Sequence, residues 1–316
     1  MRKFVLAPVS TGKPNRIPNH LIYPGIFFLL LFQIFSLAQA DAKYNDLPEH
    51  ELAAGISPLP PSYGKVIYRY NENSPKKLYI IGISHRDCQS RLNGGNTAKT
   101  QVEVYRIGEW LTRNRQVDLL LPEGFFNPSN AIDDLHLVRQ GIPMNNSIIE
   151  TKLTDDSHFV NAEILLMEHL QMPACQVEDR GLYDAVLNSV IKLKEEANDP
   201  ADCLSLRAEI KYLQEKRTAA ILQKIPAVIK KNFHNGNINS ETALFTIGLN
   251  HIDTIIKYIE QEAIHIQPPS SNSPMKDDYV ADLALLKEGF GIIIIIPHTL
   301  VNDQEALKVT KLSGVI

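Results

Sequence analysis

The chain has 316 residues, 44% apolar and 22% charged. That is globular composition, enough for one large or two small domains, and it argues against a wholly disordered chain. The net charge of −4, with no basic patch, argues against a nucleic-acid partner.

The N-terminus reads as a leader. Arg2, Lys3, Lys13 and Arg16 form a basic region, residues 25–38 an apolar core, and Ala38-Gln39-Ala40 a small-residue cleavage site. The apolar core is short for a transmembrane helix, which needs ~20 residues. Residues 1–40 are therefore expected to be a signal peptide and the chain periplasmic or secreted, with no stable membrane span after cleavage. The alternative is attachment by an uncleaved signal anchor. Residues 41–63, with Pro58-Leu59-Pro60-Pro61, read as a Pro-rich tether, and residues 64–316 as the folded domain.

Residues 65–70 alternate like an edge strand and are expected to turn through 71–75 into a second strand at 77–82, as a β-hairpin. Residues 97–115 have helical spacing, with Val102, Tyr105, Ile107, Trp110 and Leu111 apolar. Residues 117–123 read as a strand that ends at Glu123. Helices are expected at 131–140 and 156–171, then a strand at 174–180 that ends in charge. Long helices follow at 183–197 and 201–222, with Asp199-Pro200 as the start signal of the second. A strand at 243–248, a helix at 252–262, a Pro/Ser loop at 268–274, a helix at 277–289 and an Ile-rich buried strand at 291–297 complete the chain. This alternation predicts a layered α/β fold, a mixed and mostly parallel sheet with flanking helices, and a helical insertion at about 183–235. Among Cys88, Cys175 and Cys203 one disulfide can form in an oxidising compartment, with Cys175–Cys203 as the expected pair.

Two segments share an apolar run ending in Gly-x-x-His: Gly82-Ile83-Ser84-His85 and Gly248-Leu249-Asn250-His251. Open α/β sheets place their ligands at the carboxyl ends of parallel strands. His85, Glu123, Asp179, Arg180 and His251 all fall at such ends, with His298 a reserve on the same rim. Imidazole is a common metal ligand and general base, and a rim Glu can ligate metal or take a proton from water. The plainer alternatives are loop histidines bonded to backbone, a Glu that caps the next segment, and a surface Asp179–Arg180 pair. Arg217 lies among Lys and Glu on a predicted helix. It belongs either to a solvated face or to a site where it meets a substrate oxygen, and composition does not choose. There is no P-loop, Rossmann glycine fingerprint, Gly-x-Ser-x-Gly elbow or His-Glu-x-x-His helix.

Taken in order, Gly82–His85, the Glu123 strand end, Glu178-Asp179-Arg180, Arg217, Gly248–His251 and the closing 285–292 segment resemble the TraB/PrgY–GumN–Tiki group, over roughly residues 77–300. That group is similar to the wider erythromycin-esterase/ChaN-like superfamily. The resemblance implies a shared α/β core with both His-bearing strand ends at one site, and a hydrolase. In Tiki proteins the site is a divalent-metal protease favouring manganese or cobalt. In erythromycin esterases a related arrangement opens a lactone through His without a required metal, and ChaN-like proteins associate with haem. His85, Glu123, Arg217 and His251 carry over by motif. Three departures stand out: Ile83 where Thr is usual, a longer 86–96 connection, and Thr218 where Asn or Asp is common. The resulting expectation is an exported hydrolase of peptide or ester bonds. His85, Glu123 and His251 would hold manganese, cobalt or zinc, or else position water. Glu123 would act as ligand or base, and Arg217 would stabilise the oxyanion. The alternative is a non-catalytic haem- or ligand-binding protein.

Overall fold

In the computed structural model, residues 58–84, 95–127, 146–154, 161–195, 200–261, 263–269, 278–310 and 312 are described. In chain order they form β1 (Gly64–Tyr70), β2 (Lys77–Ile83), α1 (Gly95–Arg115), β3 (Leu119–Pro122), α2 (Asn146–Thr154), α3 (Ala162–His169), α4 (Arg180–Glu195) and α5 (Pro200–His234). Then come β4 (Thr242–Gly248), a 3₁₀ turn (Leu249–His251), α6 (Ile252–Glu260), β5 (Ile264–Ile266), β6 (Tyr279–Ala281), α7 (Ala284–Gly289), β7 (Gly291–Pro297), α8 (His298–Val301) and α9 (Gln304–Val309).

The main sheet has five strands in the order β1-β7-β2-β4-β3. β2 pairs in parallel with β4, from Lys77 opposite Thr242 to Ile83 opposite Gly248, and with β7 on its other side. β3 is parallel to β4. Only β1 is antiparallel, running from Gly64 opposite Pro297 to Tyr70 opposite Ile292. The expected mixed, mostly parallel α/β sheet is observed.

The expected β1–β2 hairpin does not form, because β7 lies between the two strands. β4 and β7 are buried at every position and β2 at all but its first. Such runs belong in the interior of a sheet. β1 is buried only at Gly64 and Ile67, with Lys65 exposed and Arg69 partly so, which suits an edge. Residues 71–76 therefore bridge over the end of β7. Asn71 adopts φ 48°, and its amide donates to Phe290 O at 3.3 Å.

Alternation along the strands sorts the core into two layers. Leu78, Ile80, Phe245, Ile247, Ile292 and Ile294 pack with Ile221, Leu222, Ile225 and Ile229 of α5 and with α6. Tyr79, Ile81, Leu120, Leu244, Ile293 and Ile295 pack with Val104, Ile107 and Leu111 of α1 and with α3. Each fully buried aliphatic side chain contributes about 1.5–3 kcal/mol of apolar transfer free energy. The second half of α5, within the expected helical insertion, is part of the same apolar cluster as the sheet. α5 begins at Pro200, whose missing N–H is tolerated in a first turn. It runs 35 residues, well past the expected end at 222.

Other expectations need correction. Residues 174–180 form no strand; a single parallel bridge joins Ala174 to Leu120. Residues 277–289 are not one helix: β6 pairs with β5 as a small antiparallel sheet. α7 starts only after Asp282 accepts a hydrogen bond from Ala284 N at 2.8 Å. The helix expected over 156–171 begins at Ala162, capped by Asn161 accepting from Ile164 N. α2 was not anticipated. No disulfide joins Cys175 to Cys203. Cys175 is buried, with Sγ 3.3 Å from Asn232 Nδ2, and Cys203 is partly buried on α5. The expected leader at 1–40, residues 41–57, Cys88 and the expected helix at 131–140 lie outside the described residues. Among the described residues no helix is long and apolar enough to cross a membrane.

Candidate functional site

Glu123 leaves the sheet immediately after β3. Its N–H donates to Thr246 O at 2.9 Å, and Gly124, at φ 71°, turns the chain away in the left-handed region that glycine enters without cost. The Glu123 carboxylate reaches across the end of β4, where Oε2 accepts from Gly248 N. Oε1 accepts from Arg217 Nη2 at 2.7 Å.

Arg217 comes from α5 and is only 1% exposed. Its Nε donates to Glu178 Oε1. Glu178 is fully buried, and its Oε2 accepts from Gly124 N. The 176–178 segment is held by Gln176, which donates to Glu178 O at 2.9 Å and accepts from Asn127 N at 3.0 Å. The guanidinium lies 5.3 Å from the centre of the Tyr183 ring. Among the described residues its Nη1 makes no hydrogen bond.

His251 sits in the 3₁₀ turn after β4. Its Nδ1 is 2.7 Å from Thr218 Oγ1. That hydroxyl has one proton, which it donates to Gln214 O at 2.8 Å. The network therefore assigns the ring proton to Nδ1, with Thr218 as acceptor. In the neutral ring this leaves the Nε2 lone pair facing Glu123 Oε1, 3.5 Å away.

The electrostatics follow from burial. Loss of solvent pushes the Glu178 carboxyl above its ordinary range, outweighing the opposing pull of Arg217. Burial acts to lower the Arg217 pKa, but Glu178 and Glu123 together more than reverse it, and the guanidinium stays charged. Burial also pushes the Tyr183 phenol up to about 12. Two carboxylates against one guanidinium leave one excess negative charge when all are ionised, beside an imidazole that can accept a proton.

The structure thus brings Glu123, Arg217 and His251 together. It does not bring Asp179, Arg180 or His298 to them. Asp179 is exposed and caps α4 by accepting from Leu182 N at 2.9 Å. Arg180 is exposed over the Phe126 ring, 4.2 Å from its centre. His298 is exposed at the start of α8, its Nε2 3.3 Å from Asn302 Nδ2. His85 lies outside the described residues, but β2 ends at Ile83, directly beside Gly248.

Glu178 and Thr218 were missed as site residues. A signal for the cluster existed: Arg217 falls at four-residue spacing between Leu213 and Ile221, on the buried stripe of α5. A charge on such a stripe must find buried partners.

A divalent ion at a catalytic zinc site has three protein ligands. Among the described residues no group of three His, Cys, Asp or Glu could hold a metal. His251 offers a lone pair, while both Glu123 oxygens already accept protein hydrogen bonds. These donors alone do not complete a metal site. No protein-family model matches the chain, and no curated protein or solved structure matches it either.

Proposed function

We propose that this chain is an exported hydrolase of peptide or ester bonds, related to the TraB/PrgY–GumN–Tiki group through an erythromycin-esterase/ChaN-like core. The observation that carries the reading is the His251–Glu123 pair, backed by a buried Arg217–Glu178 pair at the carboxyl end of a parallel sheet. Perturbed, desolvated ionisable groups at such a place are the usual mark of a functional site.

In this reading His251 Nε2 takes a proton from a water that attacks the substrate carbonyl, then returns it to the leaving group. Glu123 stabilises the imidazolium formed in between. Arg217 acts through Glu123 as a positioning residue. A direct oxyanion role would have to use Nη1, which is buried. Thr218 fixes the ring orientation, as the third member of a nucleophile–base–orienter set does. Manganese, cobalt or zinc on His85, Glu123 and His251 remains the metal version of the proposal. Such an ion would lower the pKa of its water, to about 7 in favourable zinc sites.

The test is turnover of peptide and ester libraries with and without added manganese, for wild type, His251→Gln and Glu123→Gln. Loss of turnover in both variants, with the fold retained, is expected. Unchanged turnover in either removes that residue from the mechanism. No turnover by wild type under any condition, with a new absorption band on haem addition, moves the reading to a haem-binding protein.

A further inference from the structure

Two short stretches of chain lead out of the ion cluster and meet at one aromatic ring. Phe126 follows Glu123 by three residues, and Arg180 follows Glu178 by two. The Arg180 guanidinium lies over the Phe126 ring, 4.2 Å from its centre. Tyr183 meets the same ring edge-on, with centroids 5.1 Å apart. Arg180 and Tyr183 stand three residues apart on α4, the spacing that puts two side chains on one helix face. Tyr183 in turn packs on the Arg217 guanidinium at 5.3 Å. Phe126 and Tyr183 are buried and Arg180 is exposed. The stack therefore runs from solvent to the arginine that holds Glu123. We propose, resting on the hydrolase reading above, that Arg180 selects substrates by binding a free carboxylate, so that the substrates are short peptides with an uncapped C-terminus.

Arg180 is held in place but not neutralised. Among the described residues it makes no hydrogen bond and no ion pair, whereas Arg69 and Arg113 pair with Glu72 and Glu109. A guanidinium packed on an aromatic ring keeps its N–H fork for another partner, and a planar carboxylate matches that fork with two parallel hydrogen bonds. Asp179 stands next in the chain, but its Oδ1 accepts from Leu182 N at 2.9 Å. It folds so closely over the helix start that a Cβ on Gly181 would lie 3.1 Å from it. That neighbouring charge decides the class of anion, because it opposes a phosphate dianion more than a singly charged carboxylate. The reach suits a peptide. Contacts of 4.2, 5.1 and 5.3 Å lead from Arg180 to Arg217, and one of 2.7 Å from there to Glu123. An extended peptide at about 3.3 Å per residue covers that path with no more than about five residues.

The probes are acetylated peptides of about two to six residues, in matched sets that end in a free carboxylate or in a carboxamide. Cleavage is read by mass spectrometry and retention by equilibrium ultrafiltration, for wild type, Arg180→Gln and Arg180→Lys. Wild type is expected to favour the carboxylate set by about three- to tenfold. Arg180→Gln should erase that preference and leave the carboxamide set unchanged. Arg180→Lys, which keeps the charge but loses the fork, should keep part of it. Arg180 is exposed, so both variants should melt with wild type. Failure of the hydrolase reading has a different signature: carboxylate-selective retention that Arg180→Gln removes, with no cleavage of either set, keeps the Arg180 site and drops hydrolysis. A wild type that favours the carboxylate set in neither readout overturns the proposal. So does a carboxylate preference that survives in Arg180→Gln.

Discussion

The molecule carries ion pairs in two very different settings. On α1, Arg113 pairs with Glu109 at 2.7 Å, with the arginine side chain 68% exposed. On α5, Arg217 pairs with Glu123 at the same distance, but both side chains are almost completely buried and Glu178 lies beside them. The first pair keeps its guanidinium in water, where it is screened. The second has lost its hydration, and hydrocarbon of similar shape would hold that part of the fold as well or better. The rest of the interior is built that way: Ile81, Leu120 and Leu244 pack against α1 and α3 with side chains alone. On the hydrolase reading proposed above, a desolvated trio amid such a core is held for chemistry rather than for stability.

The sharpest way to break this comparison is Arg217→Met. It leaves two buried carboxylates facing each other, and a loss of about 3–5 kcal/mol is expected in denaturant melts. A loss comparable to that of a surface variant would show that the cluster is solvated. Glu123→Gln should come next, at about 1–3 kcal/mol, because one hydrogen-bonding oxygen is replaced by an amide that cannot accept from both Arg217 and Gly248. Turnover should vanish in this variant while the cooperative transition survives, read by activity assay and thermal melt together.

Glu178→Gln should cost less, because removing a desolvated charge offsets the hydrogen bond from Gly124 N that its amide cannot accept while the remaining oxygen serves Arg217. Its signature is in the pH dependence. Burial raises the folded-state pKa of Glu178 above the unfolded value. The stability linked to its proton is thus complete below the ordinary carboxylate range and is lost as pH rises through the raised value. Melting wild type and Glu178→Gln across that range should show wild type losing ground as pH increases. The opposite slope would mean that Arg217 dominates and the carboxyl is held low. The smallest effect is expected for Arg113→Ala, within about 0.5 kcal/mol, since an exposed i,i+4 pair contributes little.

Much of the sheet was legible because β2, β4 and β7 are nearly continuous apolar runs, and each closes with Gly or Pro. Their pairing was less legible. Residues 65–82 look like a hairpin to any local rule, and only the burial of β2 on both edges shows that β7 must come between. Residues 277–289 misled for a similar reason: Tyr279 and Val280 favour a strand, but their partner is β5, at Ile264–Ile266, well back in the chain. At the site, Glu123 and His251 were legible from their positions after apolar strands. Arg217 was named, but the Lys and Glu around it drew attention to a solvated face. Its place between Leu213 and Ile221 is the stronger signal. Glu178 stands next to the more conspicuous Asp179-Arg180, and only the buried Arg217 explains why the inner acid matters.

The length of α5 has one more consequence. Thirty-five residues span about 52 Å at 1.5 Å per residue, more than twice the length of a seven-residue strand. The helix therefore outruns the sheet it packs on. Among the described residues its first turns pack on a small separate cluster in which Val190 and Leu193 of α4 meet Ile210, Cys203 and Leu206, with Ser189 Oγ donating to Glu209 Oε1 at 3.0 Å. That end is expected to open at lower free energy than the global transition. Amides of residues 186–195 and 204–210 should exchange with solvent well before those of residues 217–232. On that expectation the first turns of α5 open while the half carrying Arg217 and Thr218 stays packed against Glu123 and His251.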